Sequence, residues 1–133
     1  MTFSVKKLPG EPIIVGSYEK DFSIQRDLPD LLQEMGAAFD AVGGPFYHIG
    51  DLSNMSPPSF EDIMRGMAAV AWKEGSLLRH PDLVEIALVT PNPLLQKIGQ
   101  AFEHRVYGGI PTKVFATLDE ALEYIRTRIA SIA

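Results

Sequence analysis

Apolar and polar positions alternate between two periods along this chain, and the switching between them predicts its elements. Glu11 to Ser17 reads Glu-Pro-Ile-Ile-Val-Gly-Ser, a short apolar run rich in β-branched residues and bounded by Pro and Gly, as a buried strand is. Thr2 to Val5 places Phe3 and Val5 on one face and can add an antiparallel edge strand, folded back through Leu8-Pro9-Gly10. From Leu28 the apolar residues change to helical spacing: Leu28, Leu31, Leu32, Met35, Ala38, Phe39 and Val42 share one face, with Pro29 suited to a first turn and Gly43-Gly44 closing the helix.

The same alternation repeats three more times. Phe46 to Gly50 is a strand, followed by a loop of hydroxyls and prolines from Asp51 to Pro58. Ser59-Phe60-Glu61-Asp62 has the form of a capping box and opens a helix to about Gly75, with Phe60, Ile63, Met64, Met67, Ala68 and Ala71 as its core stripe. Leu83 to Thr90 contains four consecutive apolar residues, Ile86 to Val89, which predicts a central strand covered on both faces. Asn92-Pro93 caps a third helix whose stripe is Leu94, Leu95, Ile98 and Phe102. After a break at Tyr107 to Pro111, Lys113 to Ala116 is a strand and Thr117-Leu118-Asp119-Glu120 caps a last helix. Four strand-helix units in series predict an α/β layered sandwich: a four-stranded, mostly parallel sheet, the N-terminal edge strand aside, with helices on both faces. At 133 residues the chain is expected to form a single domain.

Composition narrows the chemistry. A net charge of −5 disfavours a nucleic-acid partner. With no cysteine there is no disulfide framework, thiolate nucleophile or Cys-ligated metal, which fits a reducing cytoplasm. No apolar run predicts a signal peptide or a membrane span.

Several stretches resemble the SpoIIAA-like branch of the STAS superfamily, small α/β domains related to anti-sigma-factor antagonists and, more distantly, to CRAL-TRIO lipid-binding domains. They are Asp51-Leu52-Ser53 after a strand, His80-Pro81-Asp82-Leu83 leading into Ile86 to Thr90, and Val114-Phe115-Ala116-Thr117-Leu118-Asp119-Glu120-Ala121-Leu122 near the end, together covering roughly residues 45 to 130. The resemblance implies a regulatory or binding module that recognises a protein partner or a second copy of itself. The phosphorylatable Asp-Ser-Ser-Gly of true antagonists does not occur, Ser59-Phe60-Glu61-Asp62 standing in that region.

In an open parallel sheet the ligand crevice lies beyond the carboxyl ends of the strands, which makes Asp51, Ser53, Asn54, Thr90 and Asn92 the candidates for a ligand site. Asp51 has the position to hold Mg²⁺ or a phosphoryl group, or simply to cap its loop; further carboxylates and a strand-end lysine are lacking. His48, His80 and His104 show no ligand spacing, and Ser53, Ser56 and Ser59 lack a nucleophile elbow. The glycine pairs precede strands, so no phosphate loop is read. No catalytic residue, metal or cofactor is therefore expected. Trp72 projects within about 20° of Arg65 with Ala69 between them, which is either a partner-binding patch or a tryptophan folded under Leu77 and Leu78. Tyr107, Gly108 and Gly109 form either a lid over a pocket or a plain connection. A homodimer through the Trp72 helix or an edge strand is expected; the alternative is a carrier or enzyme using the crevice, including a pocket for a small apolar ligand of the kind the CRAL-TRIO relationship implies.

Overall fold

The computed structural model describes residues 2–69, 80–102 and 111–132. Its centre is one sheet of five strands in the order β1-β2-β3-β4-β5: Phe3–Lys7, Ile13–Tyr18, Phe46–Asp51, Leu83–Val89 and Thr112–Phe115. Strand β1 runs antiparallel to β2, and the other three pairings are parallel. The expected edge hairpin is therefore present. Gly10 turns it at φ 73°, in the left-handed region glycine tolerates, and the Leu8 N–H reaches the Ile13 carbonyl at 2.9 Å.

Helices α1 (Ile24–Val42), α2 (Phe60–Met67) and α3 (Pro93–Phe102) connect successive parallel strands, and α4 (Leu118–Ile132) follows β5. Every connection steps to the next strand in one direction. Crossovers of one hand then place their helices on one side of the sheet. Accordingly α1 and α2 touch each other, and α1 seals Ile14, Tyr18, Phe46 and Ile86 beneath Leu31, Met35 and Phe39. The last helix crosses nothing and is free to fold under the opposite face, where Ala121 and Ile125 pack on Ile13, Tyr47, Ile49, Ala87 and Val89. Strand β4 meets apolar side chains on both faces, which explains its unbroken hydrophobic run.

Three local readings are corrected. Helix α1 begins at Ile24 and not at Leu28, so Pro29 sits in its second turn, where it forgoes one backbone hydrogen bond. The cap chemistry starts the helix before the apolar stripe does: Asp27 accepts the Ser23 N–H at 2.9 Å and the Thr2 hydroxyl at 2.9 Å. Arg26, followed by those donors, holds the Asp27 carboxyl well below the usual carboxylate range. At the other end Gly43, at φ 72°, closes the helix as expected. Phe60 and Leu94, assigned to core stripes, are instead 67% and 51% exposed. Both lie in first turns, where side chains tilt toward the helix start and overhang the end of the sheet. Periodicity gives the direction around a helix axis, not whether protein lies beneath at that height.

Candidate functional site at the carboxyl ends of the strands

Of the polar groups predicted for the crevice, Asp51, Ser53, Thr90 and Asn92 are engaged close to their own places in the chain. Asp51, the last residue of β3, accepts both the Ser53 N–H, at 3.1 Å, and the Ser53 hydroxyl through one carboxylate oxygen. That is a carboxylate closing its own turn. Asn54 lies exposed in the following turn. Thr90 is buried to 1% exposure; its hydroxyl accepts the Asn92 N–H at 3.1 Å and its carbonyl accepts the Gln96 amide at 2.9 Å. Asn92 caps α3, taking the N–H groups of Leu94 and Leu95 at 2.9 and 3.2 Å. The structure thus joins Asp51 to Ser53 and Thr90 to Asn92, in two local turns.

The serines have similar roles. Ser59 caps α2 by accepting the Asp62 N–H at 3.1 Å, and the Ser56 hydroxyl donates to the Lys20 carbonyl at 2.7 Å, fastening the β3–α2 loop to the β2–α1 loop. Among the described residues no cluster of three or more His, Asp or Glu is placed to hold a metal. On α2, Arg65 reaches back to Glu61 and Asp62 at 3.3 and 3.7 Å, and Ala69 is half-buried. Trp72, with Leu77 and Leu78, and the Tyr107, Gly108 and Gly109 loop lie outside the described residues, as does His104.

Long-range pairings supply the remaining polar chemistry, and sequence spacing carried no signal for them. Glu85 is buried to 3% exposure beneath α4, where one carboxylate oxygen accepts the Tyr124 hydroxyl. Its other oxygen has no hydrogen bond among the described residues, although the Arg128 Nε stands 3.4 Å away as an ion pair without hydrogen-bond geometry. Burial, reinforced by the hydrogen bond to Glu85, pushes the Tyr124 hydroxyl up to about 12. At the other end of the sheet, His80 Nδ1 accepts the Asp82 N–H at 3.1 Å, which fixes the tautomer so that Nε2–H donates to Asp40 at 3.0 Å.

His48 is enclosed at 4% exposure, and its Nδ1–H donates to the Ile14 carbonyl at 3.0 Å. Burial outweighs that bond and holds its pKa down to about 4, so the ring is neutral near pH 7. Beside it lies Gly16, paired across the strands with Gly50. A β-carbon on Gly16 would stand 3.4 Å from His48 Cε1, 3.4 Å from the Tyr18 hydroxyl and 3.1 Å from the Met35 methyl. The alternation of the strands turns this group toward α1 and away from Asp51.

The architecture is a SpoIIAA-like fold. Among solved structures the chain is similar to an uncharacterized protein of the DUF3478 family with a SpoIIAA-like fold from Shewanella loihica PV-4, at 10% identity and TM-score 0.57, covering 92% of this chain and 90% of that one. No family model matches the sequence, and no curated protein matches it. At that identity the similarity shows the fold.

Proposed function

We propose that residues 1–133 act as a non-enzymatic binding or regulatory module of the STAS-like type, which associates with a second copy of itself through the surface at the start of α2. The observation that carries this reading is Phe60, a large apolar side chain 67% exposed on the first turn of that helix. Exposed aromatic surface beside an Arg-bearing polar face is where interface energy concentrates. The sheet edges are poorer docking surfaces. Strand β1 ends in the exposed Lys6 and Lys7, and β5 is only four residues long, the two devices that guard an edge from pairing.

The crevice reading draws less support, because an acid–base reaction needs two titratable groups tuned against each other. The Asp51 carboxylate has Ser53 as its hydrogen-bond partner and no second carboxylate or histidine within hydrogen-bond reach among the described residues. Size-exclusion chromatography with light scattering tests the proposal. The wild type is expected at twice the 14.6 kDa chain mass, and Phe60→Ser and Trp72→Ala at the single-chain mass. A wild type that stays at the single-chain mass at every concentration overturns the homodimer.

A further inference from the structure

We propose that the outer flank of α4 is a second self-association surface, on which two copies of the chain lay this helix antiparallel about a two-fold axis. A shallow, open groove of about 580 Å³ runs along that flank, lined by Asp119, Leu122, Glu123, Arg126, Thr127 and Ala130. Steps of three and four residues put these six on one stripe, turned away from the Ala121 and Ile125 side chains that α4 packs on the sheet. One wall is pinned: Arg126 gives its Nε and Nη2 to the Glu11 carboxylate of the β1–β2 turn, at 2.9 and 3.2 Å. Among the described residues its Nη1 donates to no other group, and Glu123, three positions earlier, has no ion-pair or hydrogen-bond partner. The groove therefore holds an unpaired carboxylate and a guanidinium with donors to spare.

The order of charge along the helix selects the occupant. Asp119, Glu120 and Glu123 lie in the first half of α4, and Arg126 and Arg128 in the second. A two-fold axis between Glu123 and Arg126 sets Glu123 against the partner's Arg126, Leu122 against the partner's Thr127 and Asp119 against the partner's Ala130, each contact occurring twice. Parallel copies would face like charges with like, and antiparallel ones also oppose their helix dipoles favourably. Thr127 and Ala130 are short side chains, which lets the two helix axes approach closely. At 15 residues α4 is about 22 Å long, and a strip about 10 Å wide along it covers far less than the about 800 Å² that each partner of a stable complex buries. The contact is consequently weak and dissociates at the dilution of chromatography. It lies on the opposite face of the sheet from α2, so it is additional to the association proposed above and does not rest on it.

The test starts from Phe60→Ser, which removes the α2 surface, and follows its mass by sedimentation equilibrium from about 0.02 to about 2 mM, the range a weak contact requires. The mass is expected to rise toward twice the single-chain value. Glu123→Arg and Arg126→Glu, each added to that background, set like charges against each other at both ion pairs and should weaken association about tenfold. Mixing the two variants restores opposite charges at both pairs and should recover it. With one variant isotope-labelled, NMR shifts on mixing should fall on the amides of Leu122, Thr127 and Ala130. A single-chain mass throughout the range, a mixture that associates no better than either variant alone, or shifts confined to α2 or to a sheet edge overturns the proposal. Glu123 and Arg126 are exposed, and the Phe60→Ser series decides the matter even where a charge variant fails to fold. Loss of the α2 association leaves that series unchanged, so the two readings fail separately.

Discussion

The buried imidazole of His48 makes a quantitative prediction about pH. In the unfolded chain it takes a proton near 6.5, whereas in the folded protein burial delays this to about 4. The unfolded state therefore binds more protons throughout that window, and stability falls as pH drops through it. Above about pH 6.5 the neutral ring costs nothing. Between pH 7.5 and pH 5 the loss works out at about 2 kcal/mol, from about 1.4 kcal/mol per unit, rising toward about 3 kcal/mol at pH 4. Stopping at pH 5 keeps the measurement above the range in which carboxylates protonate. Urea unfolding of wild type and His48→Gln at both pH values is the assay, because the glutamine variant subtracts every other titrating group. Wild type should lose about 2 kcal/mol more than the variant over that step. Parallel losses in the two proteins would show that the imidazole is not held neutral, and the reasoning from its enclosure would fail.

Other substitutions test the packing and the caps. Ile125→Ala empties the fully buried centre of α4 and should cost about 2–4 kcal/mol in urea unfolding, with a drop in melting temperature of about 10 °C. Tyr124→Phe deprives the buried Glu85 of its hydroxyl donor and should cost about 1–3 kcal/mol; a neutral result would mean that Glu85 is hydrated. At the α1 terminus Gly43→Ala strains a backbone at φ 72° and should cost about 1 kcal/mol by thermal unfolding. Phe60→Ser should leave the melting temperature of the monomer unchanged within error, since its side chain is mostly in water already.

The order of elements was legible in the sequence because period and capping are local. Four strand-helix units follow from where alternation gives way to helical spacing, and Ser59, Asn92 and Thr117 each mark a helix start that the structure places within a residue. The capping reading of Asp51 and Asn92 was legible for the same reason: their partners lie two or three residues away. Contacts across the fold were not. Asp40 meets His80 over 40 positions and Glu85 meets Tyr124 over 39, and nothing in the spacing of these residues marks either pair. Likewise no periodic pattern sets the Tyr18 hydroxyl and the His48 ring over Gly16; that takes two parallel strands in register and a helix laid across them. The chain's own pattern determined which segments are strands and helices, since backbone geometry and burial of one face act over a few residues. Tertiary structure alone decided which polar groups meet and which apolar ones, such as Phe60 and Leu94, are left in water, because those outcomes depend on what lies on the far side of the sheet or beyond its end.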